Sequence, residues 1–224
     1  PSLKVRVEAH LVEESDYGAL GYHVGKVAAD GVPYFTGIVD ADIDRLKALG
    51  AGLASSGGVA LYHAEGVTPE AGLVERGEAE TISFTEEDLK ETYGELSTAG
   101  SGRVDLVCFG CPHASIEEVK RIAEALKGKK VNPHTKLWVF TSIAVKRMAQ
   151  RCGYTRIIKE AGGEVYSDCC MIVAPVENMG FHTIAVNSAK AAVYAPTASK
   201  VSVLFGTLGR CVEVALSGGV ELKK

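Results

Sequence analysis

The sequence of 224 residues contains no apolar run long enough to cross a membrane, and its N-terminus has no secretory signal pattern. It also contains no basic stripe, and its formal net charge is −4. These absences argue against a membrane protein and, more weakly, against nucleic acid or an anionic membrane surface as a partner. We therefore expect a cytoplasmic globular protein.

Two nucleotide-binding signatures are missing as well. No G-x-G-x-x-G follows the first predicted strand, and no G-x-x-x-x-G-K-[ST] occurs anywhere. The six cysteines do not form a secreted disulfide framework, because a chain of this size with 46% hydrophobic residues can build a core without crosslinks. Reduced cysteines that fall in turns instead indicate metal binding or catalysis.

Strands alternate with helices in the second half of the chain. Predicted strands at 104–109, 136–141, 164–167, 182–186 and 201–205 are separated by predicted helices at 115–127, 142–152, 155–161 and 207–216. This alternation predicts an α/β fold, a mainly parallel, doubly wound sheet with helices on both faces.

In the first hundred residues predicted strands and helices also alternate, but less regularly. Predicted strands at 3–12, 32–36, 59–62 and 81–84 are interspersed with helices at 18–29, after Asp40, and from Thr85 to Leu96. We predict two lobes, 1–100 and 101–224, with Ser97–Gly102 as a linker or a loop. The chain starts at Pro1 without an initiator methionine, so we expect it to be a piece of a longer polypeptide.

The most informative stretch surrounds Cys111. The apolar run from Val104 to Phe109 predicts a buried strand that Gly110 interrupts. Ser115 and Glu118 form a capping box that starts the next helix. Cys111 and His113 are therefore predicted in the turn between a strand end and a helix start, where open α/β sheets bind their ligands.

Further polar residues follow the other predicted parallel strands, whose carboxyl ends share one edge. They are Asp168, Cys169 and Cys170 after one strand, and Asn187, Ser188 and Lys190 after another. Thiols from two turns suit an iron–sulfur cluster or zinc. Less specific interpretations stay open: inert thiols, a helix cap at Asn187-Ser188, a surface lysine, or a zinc-stabilised, non-catalytic binding domain that uses Cys108 together with Cys111, Cys169 and Cys170.

At these residues the sequence resembles the aconitase X family of hydro-lyases. The matching motifs, in the family's order, are Tyr62-His-Ala-Glu-Gly-Val-Thr-Pro-Glu-Ala71, Gly110-Cys-Pro-His-Ala-Ser115, Ser167-Asp-Cys-Cys170, Asn187-Ser-Ala-Lys-Ala-Ala-Val-Tyr-Ala-Pro196 and Phe205-Gly-Thr-Leu208. The resemblance covers nearly the whole chain, but it reaches only the C-terminal portion of the family's large subunit.

The resemblance implies an iron–sulfur cluster, with [4Fe–4S] favoured over [2Fe–2S], held by three cysteines of the large subunit. Cys111 and Cys170 are the implied ligands in this chain, although Cys169 stands where the family has threonine and leaves the choice between the adjacent thiols open. The third ligand is expected in the N-terminal portion outside this chain. A small swivelling subunit is the expected partner and would bring the catalytic serine base.

The implied reaction is removal of water from a small anionic 3-hydroxy acid. Mevalonate 5-phosphate, in isoprenoid biosynthesis through a mevalonate pathway, is the favoured substrate, and cis-3-hydroxy-L-proline is the alternative. The implied catalytic residues are His113, Asp168 and Lys190. The implied substrate-binding residues are His63, Thr68, Glu70, Ser115, Asn187, Ser188 and Lys190.

Overall fold

The computed structural model describes residues 1–39, 41–75 and 77–220. Residue 220 is described by its backbone alone. The chain divides into two compact units, Pro1–Glu95 and Leu96–Lys224, called unit 1 and unit 2 below. Among the described residues no helix is both long and apolar enough to span a bilayer.

Unit 1 begins with a strand and alternates strands with helices. Its elements are β1 (Leu3–Val7), α1 (Glu14–Ala28), β2 (Pro33–Thr36), α2 (Ile43–Gly57), β3 (His63–Ala64), a 3₁₀ turn (Ala71–Leu73), β4 (Glu80–Phe84) and α3 (Glu86–Leu96). The strands form a parallel sheet in the order β3-β2-β1-β4. Alternate residues of β1, such as Val5, pack into a core with Leu20 of α1 and Leu53 of α2.

Helices α1 and α2 pack backbone to backbone through glycine. A Cβ atom on Gly21 would lie 2.2 Å from the carbonyl oxygen of Leu49, and one on Gly25 would lie 2.8 Å from that of Leu53. Only residues without a side chain allow this approach. The four-residue spacing of these two glycines places both on the same face of α1, the face that contacts α2.

Three predictions for unit 1 need correction. The predicted strand 3–12 ends at Val7, because Asp16 accepts the backbone N–H groups of Val12 and Glu13 and starts α1 there. The residues 59–62 precede the short strand β3 instead of forming one. Asp40, the predicted cap of α2, lies outside the described residues, and Asp42 caps this helix through the N–H of Arg45.

Unit 2 contains the longer run of elements. They are β5 (Gly102–Arg103), β6 (Leu106–Ala114), α4 (Ile116–Leu126), β7 (Lys136–Thr141), α5 (Ile143–Arg151), α6 (Tyr154–Ala161), β8 (Glu164–Ser167), 3₁₀ turns at Met171–Val173 and Val176–Met179, β9 (Thr183–Val186), α7 (Ala189–Ala198), β10 (Ser202–Phe205), α8 (Leu208–Ser217) and β11 (Gly219–Val220). Five strands form a parallel sheet in the order β10-β9-β6-β7-β8. This confirms the predicted α/β fold with a parallel sheet.

The two faces of this sheet are covered by different helices. Val107 of β6 and Val139 of β7 belong to one core with apolar residues of α4, α5, α6 and α8. Helix α7 packs against β6, β9 and β10, and Ala189, Ala191, Ala192 and Ala195 form its buried face. The capping box of Ser115 and Glu118 starts α4 as predicted, and Val119, Ile122, Ala123 and Leu126 form its buried face.

One local prediction for unit 2 needs correction. Strand β6 does not stop at Phe109 but continues to Ala114, so Cys111 lies within an interrupted strand and not in a turn after it. Residues 97–102, predicted as a linker or a loop, begin by covering the edge strand β10. There the N–H of Ala99 donates to the carbonyl of Val203, and Ser97 accepts the N–H of Phe205.

Candidate active site

The first thiol of the site lies on an interruption in the pairing of β6 with β7. Phe109 pairs with Val139 and Ala114 with Thr141, so the intervening residues 110–113 of β6 face a single residue of β7. Gly110 adopts φ +91°, and a Cβ on it would lie 2.0 Å from the carbonyl oxygen of Phe140. The surplus residues bulge at the carboxyl end of the strand.

The second thiol comes from the segment after β8. The side chains of Cys111 and Cys170 form a hydrogen bond with each other, although Cys111 lies in the bulge of β6 and Cys170 follows β8. The Cys170 sulfur also accepts the backbone N–H of Ile172 at 3.4 Å. Parallel pairing of β6, β7 and β8 therefore brings these two cysteines together at the carboxyl-end edge of the sheet, although Cys111 reaches this edge from within β6 and not from the predicted turn.

The two thiols differ in protonation. The hydrogen bond from Cys111, helped by the N–H of Ile172 and the positive charge of Lys190, lowers the pKa of Cys170 to about 6 against the opposing effect of burial. The same hydrogen bond and burial raise the pKa of Cys111 well above its ordinary value. At neutral pH the pair therefore holds one proton, with Cys170 as the thiolate.

Two side chains tie the bulge of β6 to its neighbours through backbone carbonyls. His113 Nε2 lies 2.8 Å from the carbonyl oxygen of Cys169, so this nitrogen carries a proton and donates. The hydroxyl of Ser188 donates to the carbonyl oxygen of Cys111 and accepts the N–H of Ala191, which caps α7. The cysteine-bearing segments and the start of α7 are thereby joined.

These groups surround an open cavity of about 630 Å³. Its described lining residues are Gly110, Cys111, Pro112, His113, Cys170, Ile172, Val173, Lys190 and Tyr194. Lys190 reaches it from the first turn of α7, and Tyr194 from one turn further along. Apolar residues make up much of the wall, and Val173 is 79% exposed. The cavity thus combines thiols, a cation and apolar surface.

Sequence reasoning missed Ile172, Val173 and Tyr194 as lining residues. Tyr194 lies four residues after Lys190, and this helical spacing is the signal that could have found it. Ile172 and Val173 lie in a 3₁₀ turn that no periodicity indicated.

The other residues predicted for this edge have structural contacts. Asp168 Oδ1 accepts the N–H of Ile143, the first residue of α5, at 3.0 Å, and Ser115 caps α4. Neither residue is among those that line the cavity within the described chain, and neither is Asn187, which directly precedes the cap of α7. Their catalytic and substrate-binding roles remain predictions.

His63, Thr68 and Glu70, the predicted substrate-binding residues of unit 1, lie together at the end of β3. The Nδ1 atom of His63 lies 3.1 Å from Oε1 of Glu70, and the Thr68 hydroxyl accepts the N–H of Ala64 at 3.0 Å. The pKa of Glu70 lies below its ordinary value, chiefly because its own backbone N–H donates to the carboxylate, with His63 and Thr68 adding to the effect. The cluster could receive a hydrogen-bonding ligand.

Comparison with known proteins decides the family. A sequence model of the aconitase X second domain matches residues 1–94, and one of the aconitase X third domain matches residues 104–217. The chain belongs to the aconitase X family. The resemblance inferred from the motifs is confirmed.

Relatives within the aconitase X family include two named dehydratases. The phosphomevalonate dehydratase large subunit of Methanocaldococcus jannaschii is 48% identical over 199 residues, covering 87% of this chain and 49% of that protein. The cis-3-hydroxy-L-proline dehydratase of Pseudomonas aeruginosa is 34% identical over 216 residues, covering 92% of this chain and 37% of that protein.

A solved structure shows the same fold. The crystal structure of Thermococcus kodakaraensis aconitase X in its holo-form superposes with a TM-score of 0.89 at 36% identity, covering 96% of this chain and 55% of that one. The chain thus spans about half the length of the curated phosphomevalonate dehydratase large subunits that it matches, and about half of this solved chain.

The donor set of the cavity fits part of a metal cluster. Cys111 and Cys170 supply two adjacent thiol ligands, of which one is already a thiolate. Across residues 1–39, 41–75 and 77–220 no group of three or more His, Cys, Asp or Glu side chains is arranged to hold a metal ion. A cluster at this cavity therefore needs a further ligand from elsewhere, and a zinc site complete within the described chain has no support.

The remaining cysteines have other environments. Burial raises the pKa of Cys211 to about 12 and that of Cys108 well above its ordinary value, so both stay neutral thiols. Cys152 and Cys169 are exposed. Cys108 and Cys111, although spaced as C-x-x-C, therefore do not act as one unit.

Proposed function

We propose that the chain is the thiol-bearing part of an iron–sulfur hydro-lyase that dehydrates a 3-hydroxy acid. The observation that carries this proposal is the pair Cys111–Cys170, which meets Lys190 in one open cavity. Support comes from membership of the aconitase X family and from relatives that are named dehydratases. The proposed product of mevalonate 5-phosphate is anhydromevalonate phosphate.

In this proposal Cys111 and Cys170 hold two corners of the cluster. When bound, an iron–sulfur centre with one iron free of cysteine supplies a Lewis acid for the departing hydroxyl group, which is otherwise a poor leaving group. The chain itself contributes preformed ligands. The hydrogen bonds from His113 to Cys169 and from Ser188 to Cys111 hold the two segments, so little ordering is left when the cluster enters.

Lys190 binds the charged end of the substrate. Its ammonium group and the N-terminal N–H groups of α7 both favour an anion at this end of the cavity. A carboxylate or a phosphate satisfies this chemistry equally. The side chains of Ile172, Val173 and Tyr194 form an apolar wall that packs against the carbon chain of the substrate.

His113 handles a proton only through one of its ring nitrogens. Because Nε2 donates to the carbonyl of Cys169, only Nδ1 can accept a proton while this bond is in place. We propose that His113 orients the bulge and that a proton held on Nδ1 passes to the departing hydroxide, which leaves as water. The base that removes the substrate proton is proposed to come from a small subunit.

Mevalonate 5-phosphate is the preferred substrate because the identity to a phosphomevalonate dehydratase large subunit is 48%, against 34% to a cis-3-hydroxy-L-proline dehydratase. The imino acid is the second candidate, since its dehydratase matches 92% of the chain. Both substrates present an anionic group for Lys190.

The deciding experiment combines this chain with the rest of its large subunit and a small subunit under anaerobic conditions. Iron and sulfide are quantified, and both substrates are offered in parallel assays that detect loss of water. We expect stoichiometric iron and sulfide and turnover of mevalonate 5-phosphate. Turnover of cis-3-hydroxy-L-proline alone would overturn the substrate, and a colourless, inactive assembly without sulfide would overturn the function.

A further inference from the structure

The two edges of the sheet in unit 2 are treated differently. At one edge, residues 97–99 cover β10: Val203 donates to Thr98 Oγ1 at 2.9 Å and accepts from Ala99, while Phe205 donates to Ser97 Oγ at 3.1 Å. At the other edge, β8 pairs with β7 and, within the described residues, with no other strand. The sheet therefore has one covered edge and one open edge.

The open edge presents unpaired backbone groups. The N–H of Asp168 donates to the carbonyl of Thr141 in β7 at 3.0 Å. Because alternate residues of a strand direct their backbone groups to opposite sides, Val165 and Ser167 direct theirs away from β7. No backbone hydrogen bond within the described chain reaches this outer side. Strand edges of this kind are templates for another strand.

A groove of about 480 Å³ runs beside this edge and is lined by cations. Lys146 of α5 with Arg156 and Lys159 of α6 form one side, and β8 forms the other. In the described part of the chain Lys146 and Lys159 have no ion pair, and Arg156 reaches Glu160 only at 4.0 Å. The single carboxylate of the groove, Glu164, accepts the hydroxyl of Tyr166 at 2.7 Å.

Unit 2 as a whole also carries an excess of positively charged residues. Residues 96–224 contain 17 Lys and Arg against 10 Asp and Glu, in a chain whose net charge is −4. A positive field around an open strand edge favours a partner that is both extended and negatively charged.

We propose that the β8 edge and this groove bind an extended acidic segment of a separate polypeptide. The segment pairs its backbone with the outward groups of Val165 and Ser167. Its carboxylates face Lys146, Arg156 and Lys159. This interaction surface does not depend on the proposed dehydratase activity, since none of these residues lines the thiol cavity.

The test measures the fluorescence anisotropy of a labelled octapeptide of alternating glutamate and valine on the 224-residue chain. We expect binding at 50 mM salt that weakens at 500 mM, and no binding of the lysine–valine counterpart. Lys159→Glu and Arg156→Glu should each weaken binding about three- to tenfold. The matched control Lys129→Glu, an equal charge change at an exposed site outside the groove, should not.

Proline substitution tests the backbone pairing. Val165→Pro removes an outward N–H that takes no part in the ladder with β7, so the sheet should persist while peptide binding falls about tenfold. Circular dichroism verifies the fold, and Ser167→Pro is the second variant should Val165→Pro unfold.

Four results would overturn the proposal. The first is absence of peptide binding at low salt, and the second is a loss of peptide affinity in Lys129→Glu as large as in Lys159→Glu and Arg156→Glu. The third is unchanged peptide affinity in the proline variants. The fourth is binding of inorganic tripolyphosphate as tight as that of the peptide, which would make the groove a simple anion site. Self-association of the chain that Val165→Pro abolishes would make the occupant a second copy. Loss of peptide binding when the chain is joined to the rest of its large subunit would make that part the occupant, and either result would overturn the assignment to a separate polypeptide.

Discussion

Units 1 and 2 share a parallel α/β plan but carry opposite charge. Residues 1–95 contain 18 Asp and Glu against 7 Lys and Arg, whereas residues 96–224 contain 10 against 17. The net charge of −4 for the whole chain conceals this division. Chemistry that attracts anions therefore belongs to unit 2, where Lys190 and the thiol pair also lie.

The cores of the two units differ as well. In unit 1 the helices α1 and α2 approach through glycine, which leaves no room for a Cβ at Gly21. In unit 2 the helix α4 packs through larger side chains such as Val119, Ile122 and Leu126. The two units should therefore respond to different substitutions, and the predictions below use this difference.

The largest effect is expected at the thiol pair of unit 2. In the assembled enzyme Cys111→Ser and Cys170→Ser should each reduce activity to background and lower the iron and sulfide content, because each removes a cluster ligand. Cys152→Ser, at an exposed thiol away from the cavity, is the matched control and should leave both unchanged.

Cys169→Ser resolves the choice between the adjacent thiols. The structure turns Cys170 toward Cys111, whereas Cys169 is exposed and contributes its carbonyl to His113. Loss of the cluster in Cys169→Ser with retention in Cys170→Ser would contradict the assignment.

The next largest effect is expected for Lys190→Ala, also in unit 2. Loss of a charged hydrogen-bond partner costs about 1.5–3 kcal/mol, so kcat/KM should fall about 10- to 150-fold. The cluster content should not change, because no ligand is removed. Lys129→Ala removes an exposed charge outside the cavity and serves as the control. Near-normal kinetics of Lys190→Ala would exclude Lys190 from substrate binding.

A substitution in unit 1 should affect stability alone. Gly21→Ala places a Cβ 2.2 Å from a backbone oxygen of α2, and such overpacking costs about 1–3 kcal/mol. Gly94→Ala in α3, where a Cβ meets nothing within 4 Å, should instead stabilise by about 0.5–1 kcal/mol. Since Trp138 is the single tryptophan and lies in unit 2, its fluorescence reports that unit separately.

Unfolding of Gly21→Ala is best followed in urea by two signals. Circular dichroism should show an earlier transition, while the Trp138 fluorescence transition keeps its midpoint. A parallel shift of both signals would mean that the two units unfold in one cooperative transition. The two units would then not differ in their response to a substitution in unit 1.

The elements of unit 2 were predictable because their signals are local. The capping box of Ser115 and Glu118 and the apolar face beginning at Val119 lie within a few residues of each other, and the structure confirms them. The convergence of Cys111 and Cys170 followed from parallel strands alone. Each of these inferences needed only the sequence near one element or one rule of sheet topology.

The features that sequence could not predict depend on backbone groups of distant elements. Gly110 is needed because the carbonyl of Phe140 in β7 lies where its Cβ would be, and nothing near Gly110 in the sequence indicates that neighbour. His113 and Ser188 bind backbone carbonyls, which every residue possesses. The sequence left the stretch after Ser97 open between a linker and a loop, because its hydrogen bonds also go to backbone groups, those of β10.

The smallest effect concerns the lowered pKa of Cys170 in the thiol pair. Unit 2 should show this lowered pKa in the absence of a bound cluster. The pKa of Cys170 is lowered to about 6 chiefly by the hydrogen bond from Cys111, so the thiolate is present above this pH and is lost as the pH falls through it. The rate of Cys170 alkylation by iodoacetamide, followed by peptide mass spectrometry, should thus be half-maximal near pH 6 and flat from pH 7 upward. In Cys111→Ala the donor is gone, so the midpoint should move toward the ordinary thiol value of about 8.5. A rate that climbs steeply between pH 7 and pH 8.5 in the unsubstituted chain would show that Cys170 is an ordinary thiol, and unit 2 would then not supply a preformed thiolate ligand.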